Sequence, residues 1–240
     1  MSPTSTPKPV FLSARWCDLL LLQYPVDDRV LAPLVPRGVE LDPWQGRHVV
    51  SLVAFRFLNT RLKGVAIPFH VDFDEINLRF YVRRVVDGAL RRGVVFVKEI
   101  VPRRAIATVA RFVYDEPYVT LPTRHRVLPA GVEYGWKHRG RWDRVTGARR
   151  GEPTLVVDDT EPAFITEHYW GYTRRRDGST SEYQVEHPRW RTWEAHDVTV
   201  DVDASALYGR EFGAALAGPP SSALIAEGSD VLVREGTRIA

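Results

Sequence analysis

The chain is 240 residues long, with 33 basic against 30 acidic side chains and a formal net charge of +3. With 44% hydrophobic residues and abundant aromatics (Trp 7, Tyr 9, Phe 10) it can bury a substantial core, which excludes a disordered chain. The lone Cys17 excludes an internal disulfide framework and a multi-cysteine metal site, and the near-balanced charge argues against a nucleic-acid binder.

Residues 1–9, MSPTSTPKP, are polar and Pro-rich and read as a frayed tail rather than a signal peptide, since no apolar core follows a basic start. Val10–Tyr24 is a strand or a short helix; its apolar run Leu19–Leu22 cannot decide between them and is far too short to span a bilayer. Asp27 or Asp28 is placed to cap a short helix through Leu34, kept short by Pro33 and Pro36. Val39–Leu41, the turn Asp42-Pro43-Trp44-Gln45-Gly46 and Arg47–Leu58 read as strand, turn, strand. The last is apolar on both faces and so belongs in the middle of a sheet.

Phe73–Val101 is the clearest element. Ile76, Leu78, Phe80 and Val82 alternate with Glu75, Asn77, Arg79, Tyr81 and Arg83, a period of two with two different faces. Asp87-Gly88 supplies turn chemistry, and Val94–Val101 is a second strand, so the pair predicts a long antiparallel hairpin. Beyond it, Ala105–Tyr114 has helical spacing and Arg126–Lys137 reads as strand. The basic segment 137–150 reads as a mobile loop, and Ala163–Thr173 pairs with Tyr183–Val185 as a second hairpin. Thr192–Val202 is strand, Ala204–Ala217 an amphipathic helix burying Leu207, Phe212 and Leu216, and Val231–Val233 a last strand. The expected fold is one mainly-β domain over residues 10–240, a closed or partly closed antiparallel β-barrel with a few short helices.

Several segments resemble the YqjF-like family, bacterial proteins of a domain of unknown function. FDEINLRFYVR resembles its F-x-E-x-N-x-R-x-Y-V strand, and PVDDRVLAPLVPRGVELDPWQGRHVVSLVAFRF its P-x-L-x-P-L-V-P-x-G-L unit and following strand. ARFVYDEPY, FITEHYWGYT and VEHPRW resemble further family segments in the same order. That family is similar in turn to the acetoacetate-decarboxylase-like superfamily, which implies a closed β-barrel around a buried polar pocket. Those decarboxylases use a Lys-Lys pair, one lysine forming a Schiff base with its pKa lowered by the neighbouring cation. The matching stretch here runs from Ala110-Arg111-Phe112 to Pro117-Tyr118 and holds no lysine. Of the superfamily's pocket carboxylates, Glu75 matches one.

Glu75 and Arg79 share a strand face and, turned inward, would pair and hold a polar ligand, since a guanidinium fork suits carboxylates. Asn77, Tyr81, Arg111, Tyr118, Glu167 and Tyr169 complete the candidate ligand-binding set. Lys98 is the weak catalytic candidate, a strand lysine whose pKa burial would depress. The seven histidines show no H-x-H or H-E-x-x-H spacing, so no metal is expected, and no P-loop or dinucleotide fingerprint calls for a cofactor. The first functional reading is therefore a small-molecule-binding barrel, cytoplasmic and free of membrane segments, with homo-oligomerisation left open. The alternatives are a lyase acting on a small keto acid through Lys98, and an interaction module presenting segment 137–150 to an anionic partner.

Overall fold

The structure is a computed structural model and describes residues 7–102 and 115–240. The helix expected over Ala105–Tyr114, with the candidate Arg111, lies outside them. The strands are β1 (Val10–Pro25), β2 (Glu40–Leu41), β3 (Val49–Leu62), β4 (Phe73–Val86), β5 (Ala89–Val101), β6 (Tyr118–Thr120), β7 (Thr123–Leu128) and β8 (Gly131–His138). They continue as β9 (Arg141–Arg149), β10 (Thr154–Leu155), β11 (Trp170–Arg174), β12 (Thr180–Glu186), β13 (Arg191–Asp201), β14 (Ser222–Arg234) and β15 (Thr237–Ile239). The order β12-β11-β5-β4-β3-β1-β14 is closed into a ring by the pairing of β14 back onto β12, at Val185 with Val233. From β14 a branch continues through β13, β9 and β8 to β7. The sheet is mixed rather than wholly antiparallel, because β5 pairs parallel with both β11 and β6. No described helix is long and apolar enough to cross a membrane.

The β4–β5 hairpin forms as its alternation requires. Asp87 and Gly88 both take positive φ (51° and 78°), the two-residue turn whose twist matches that of the flanking strands. Ile76, Leu78, Phe80 and Val82 are fully buried on one side. There they pack with β8, β9 and the helical segment Ala204–Leu216, each contributing roughly 1.5–3 kcal/mol over exposure. Glu75, Asn77, Arg79 and Tyr81 face the other side. β3 lies between β1 and β4 and is buried on both faces, as its double apolar pattern requires.

Four expectations are corrected. Asp27 does cap a helix, but only Asp28–Leu31, followed by a 3-10 turn at Ala32–Leu34. Ala163–Thr173 does not run as strand throughout. Thr160 caps a helix at Glu161–Thr166, with Pro162 in its first turn, and β11 starts only at Trp170. The helix over Ala204–Ala217 is two, Ala204–Tyr208 and Arg210–Ala215, broken where Gly209 takes φ 97°. The basic segment 137–150 is no loop: Arg139 and Gly140 form a tight turn, and Arg141–Arg149 is strand β9, paired with β8 and β13. Two of its cations are engaged within the fold, Arg149 with Asp18 at 2.6 Å and Arg141 with Asp201.

Candidate functional site

Inside the ring lies a cavity of about 170 Å³. Its walls are largely apolar: Trp16, Phe55, Phe57 and Phe73 from β1, β3 and β4, Phe96 from β5, and Trp190. Phe57 and Phe73 stack at 4.6 Å, and Trp16 meets Phe55 and Phe57 in T-shaped contacts with centroids 5.3 and 5.6 Å apart. Into this aromatic lining project three buried glutamates, Glu75, Glu99 and Glu116, with Asn77, Arg79, Tyr118, Tyr183, His168 and His187.

Strand register explains the convergence. Asn77 pairs with Glu99 and Arg79 with Phe96, all on the cavity side. Between those pairs β5 carries one extra residue, Val97, a bulge that leaves Val97 and Lys98 both on the outer side. In a regular strand Lys98 would follow Val94 and Phe96 inward. The bulge admits Glu99 instead. Lys98 Nζ donates to the Leu207 carbonyl oxygen and stands over the Tyr208 ring, on the helix side of the sheet. None of the four lysines lines the cavity. Borohydride with acetoacetate is accordingly expected to trap no adduct, read by intact mass. A stable adduct absent from Lys98→Gln would bring amine chemistry back.

Glu75 accepts from Asn77 Nδ2 at 2.9 Å and from the Tyr118 hydroxyl at 3.2 Å, and Tyr118 also reaches Glu99. Tyr183 donates its hydroxyl proton to Glu116. Burial pushes the Glu75 carboxyl up to about 7 and that of Glu116 up to about 8. Glu99 is pushed well up by burial and by the two neighbouring carboxyls. Burial also holds the His168 and His187 imidazoles down. Near neutral pH the cluster is thus largely protonated, and both rings are neutral.

The expected Glu75–Arg79 ion pair is not formed. Two residues on one strand face four positions apart are spaced by about 13 Å along the chain, and Asn77, between them, takes the carboxylate. Arg79 instead gives a guanidinium N–H to the Ile165 carbonyl oxygen at 3.2 Å, while its Nε is buried without a hydrogen-bond partner among the described residues. Tyr118 and Asn77 line the cavity as expected. Tyr81 shares their strand face but lies behind the wall, its hydroxyl bonded to Ser51 and its ring 4.6 Å from His168. Glu167 and Tyr169 point away from the cavity and bond each other, because the chain leaving Glu161–Thr166 turns Thr166, His168 and Trp170 inward. Glu99, Glu116 and Tyr183 are not among the sequence candidates. Only the pairing of the strands brings them together.

The sequence profile of DUF2071, an uncharacterized conserved protein family, matches residues 13–230. The chain belongs to the DUF2071 family. Among curated proteins it is similar to the uncharacterized protein YqjF of Bacillus subtilis (strain 168), 28% identical over 177 residues that make up 72% of each chain. Among solved structures this DUF2071 protein is similar to the acetoacetate decarboxylase of Legionella pneumophila (14% identity, TM-score 0.67, 98% of this chain and 90% of that one). The enduracididine biosynthesis enzyme MppR complexed with pyruvate (16%, 0.66, 100% and 93%) and an acetoacetate decarboxylase-like enzyme of Sphingomonas wittichii RW1 (14%, 0.64, 100% and 98%) are similar too. At those identities the likeness shows the fold. It bears out the expected acetoacetate-decarboxylase-like architecture for this DUF2071 chain.

Proposed function

We propose that the protein binds a small organic acid inside the strand ring. The observation that carries this is the Nε of Arg79, a buried cationic donor on the cavity wall with no hydrogen-bond partner among the described residues. A buried donor left unmade is costly, and a ligand carboxylate at that point removes the cost through a charge-assisted bond. Aromatic walls supply the apolar contact that such pockets use for the rest of a ligand. A fold neighbour, MppR, is described in complex with pyruvate, a small keto acid, which supports the same ligand class here.

Mass spectrometry of molecules released on denaturation, with thermal-shift screening of short keto, hydroxy and amino acids, tests the reading. Arg79→Met is expected to weaken binding roughly 10- to 100-fold, the range for losing a charge-assisted hydrogen bond. Unchanged affinity in that variant, or no released molecule and no stabilising acid, would sink it.

A further inference from the structure

At the other end of the cavity the chemistry has the opposite sign. Glu75, Glu99 and Glu116 come from three separate stretches of chain, all are buried, and all line one space. Among the described residues, the charged and titratable groups that act on them are one another, the hydroxyls of Tyr118 and Tyr183, and Arg79, which reaches Glu75 alone and only as its weakest influence. No cation of the described residues sits on Glu99 or Glu116. The unfilled atoms at this end are acceptors. Glu99 Oε2 and Asn77 Oδ1 are both buried on the cavity wall without a hydrogen-bond partner among the described residues. Such atoms call for a ligand that brings N–H groups.

We infer that the ligand carries a protonated nitrogen, an ammonium or guanidinium group, which sits among Glu75, Glu99 and Glu116 and supplies a countercharge that the described residues do not place on Glu99 or Glu116. This rests on the binding reading above and sharpens it: with Arg79 holding a carboxylate, the ligand class is a short amino or guanidino acid. An organic cation fits better than a metal ion. The wall beside the carboxyls is aromatic and favours a nitrogen cation over its ring faces, and the described residues contain no group of ligands arranged to hold a metal. Protons neutralise the buried carboxyls when no cation is bound; a cation entering displaces about one proton to solvent, so binding and proton release are linked.

The test is calorimetry of the whole protein with γ-aminobutyrate, 4-guanidinobutyrate, butylamine and butyrate at several pH values, in two buffers of different ionisation heat. The amino and guanidino acids are expected to bind with proton release. Their affinity should rise by up to about tenfold per pH unit until the cluster has ionised. Glu99→Gln and Glu116→Gln should each weaken amine binding and reduce that pH dependence. Butyrate binding as tightly as γ-aminobutyrate, affinity independent of pH, or magnesium or manganese stabilising in place of the amines would overturn the inference. A released ligand without a basic nitrogen would overturn it while leaving the acid-binding reading standing. No binding by any probe, together with no released molecule, would remove both.

Discussion

Unliganded protein is expected to lose stability as pH rises from about 6.5 to about 9, the reverse of the usual carboxylate contribution. The sign follows from the cavity glutamates. In the unfolded chain a glutamate ionises near 4.5, whereas folding raises Glu75 to about 7 and Glu116 to about 8. Between those values the native state holds protons that the unfolded state has lost, so stability falls with rising pH. The contribution is complete below the unfolded value and disappears through the folded ones. His168 and His187, held down by burial, act oppositely, but only below about 6.5, where the unfolded imidazole takes up a proton. Above that they drop out. From about 6.5, half a pH unit up to the value near 7 for Glu75 and one and a half up to that near 8 for Glu116 come to roughly 2–3 kcal/mol, and the slope ends above both values. Urea midpoints measured across this range check it, and Glu75→Gln with Glu116→Gln should flatten the slope. Stability that is level or rising in the parent would mean that the three carboxyls do not share a buried cavity.

Much of the architecture is legible in the sequence because it rests on local patterns. The alternation from Glu75 to Val82 sets the two faces of β4, the Asp87-Gly88 turn sets the hairpin, and the double apolar pattern of β3 places it centrally. Strand β9 is hidden because the residues on its buried face are Asp143, Val145 and Gly147, of which only Val145 is apolar. Asp143 is tolerated there by Asp203 N–H at 3.3 Å and by Arg141. Gly147 packs closely on Leu20, where a Cβ would lie 2.9 Å away.

The candidate site is only half legible, for a geometric reason. Parity within β4 correctly groups Glu75, Asn77 and Arg79. Parity in β5 misleads, since one bulged residue exchanges Lys98 for Glu99 at the cavity wall. That exchange decides the chemistry of the pocket, replacing an amine by a third carboxyl. Glu116 enters through the register of β6 against β5, which aligns Tyr118 with Glu99. A parallel pairing across a long connection leaves no periodic trace in the chain.

Gly171→Ala is the second change expected to act strongly, through Tyr183. Gly171 and Tyr183 are directly opposed on β11 and β12, and the tyrosine ring lies across the glycine. A Cβ at position 171 would stand 2.1 Å from Cζ and 2.4 Å from the hydroxyl oxygen of Tyr183. The backbone there is ordinary strand, so the obstacle is the ring alone. Tyr183 is buried, and its hydroxyl holds Glu116, so moving the ring both strains the core and withdraws a donor from a buried carboxyl. Overpacking of this kind costs roughly 1–3 kcal/mol. Because the Tyr183 hydrogen bond holds the Glu116 pKa down, losing it should raise that pKa further and shift the fall in stability to higher pH. A double-mutant cycle separates the causes. In a Tyr183→Ala background the extra methyl meets no ring, and Gly171→Ala should then cost close to nothing or stabilise through the strand's lower unfolded-state entropy. Equal cost in both backgrounds would show that the glycine serves some constraint other than the ring above it. Tyr183→Phe keeps the ring and removes only the hydroxyl, so it should reproduce the displaced pH dependence without the packing loss.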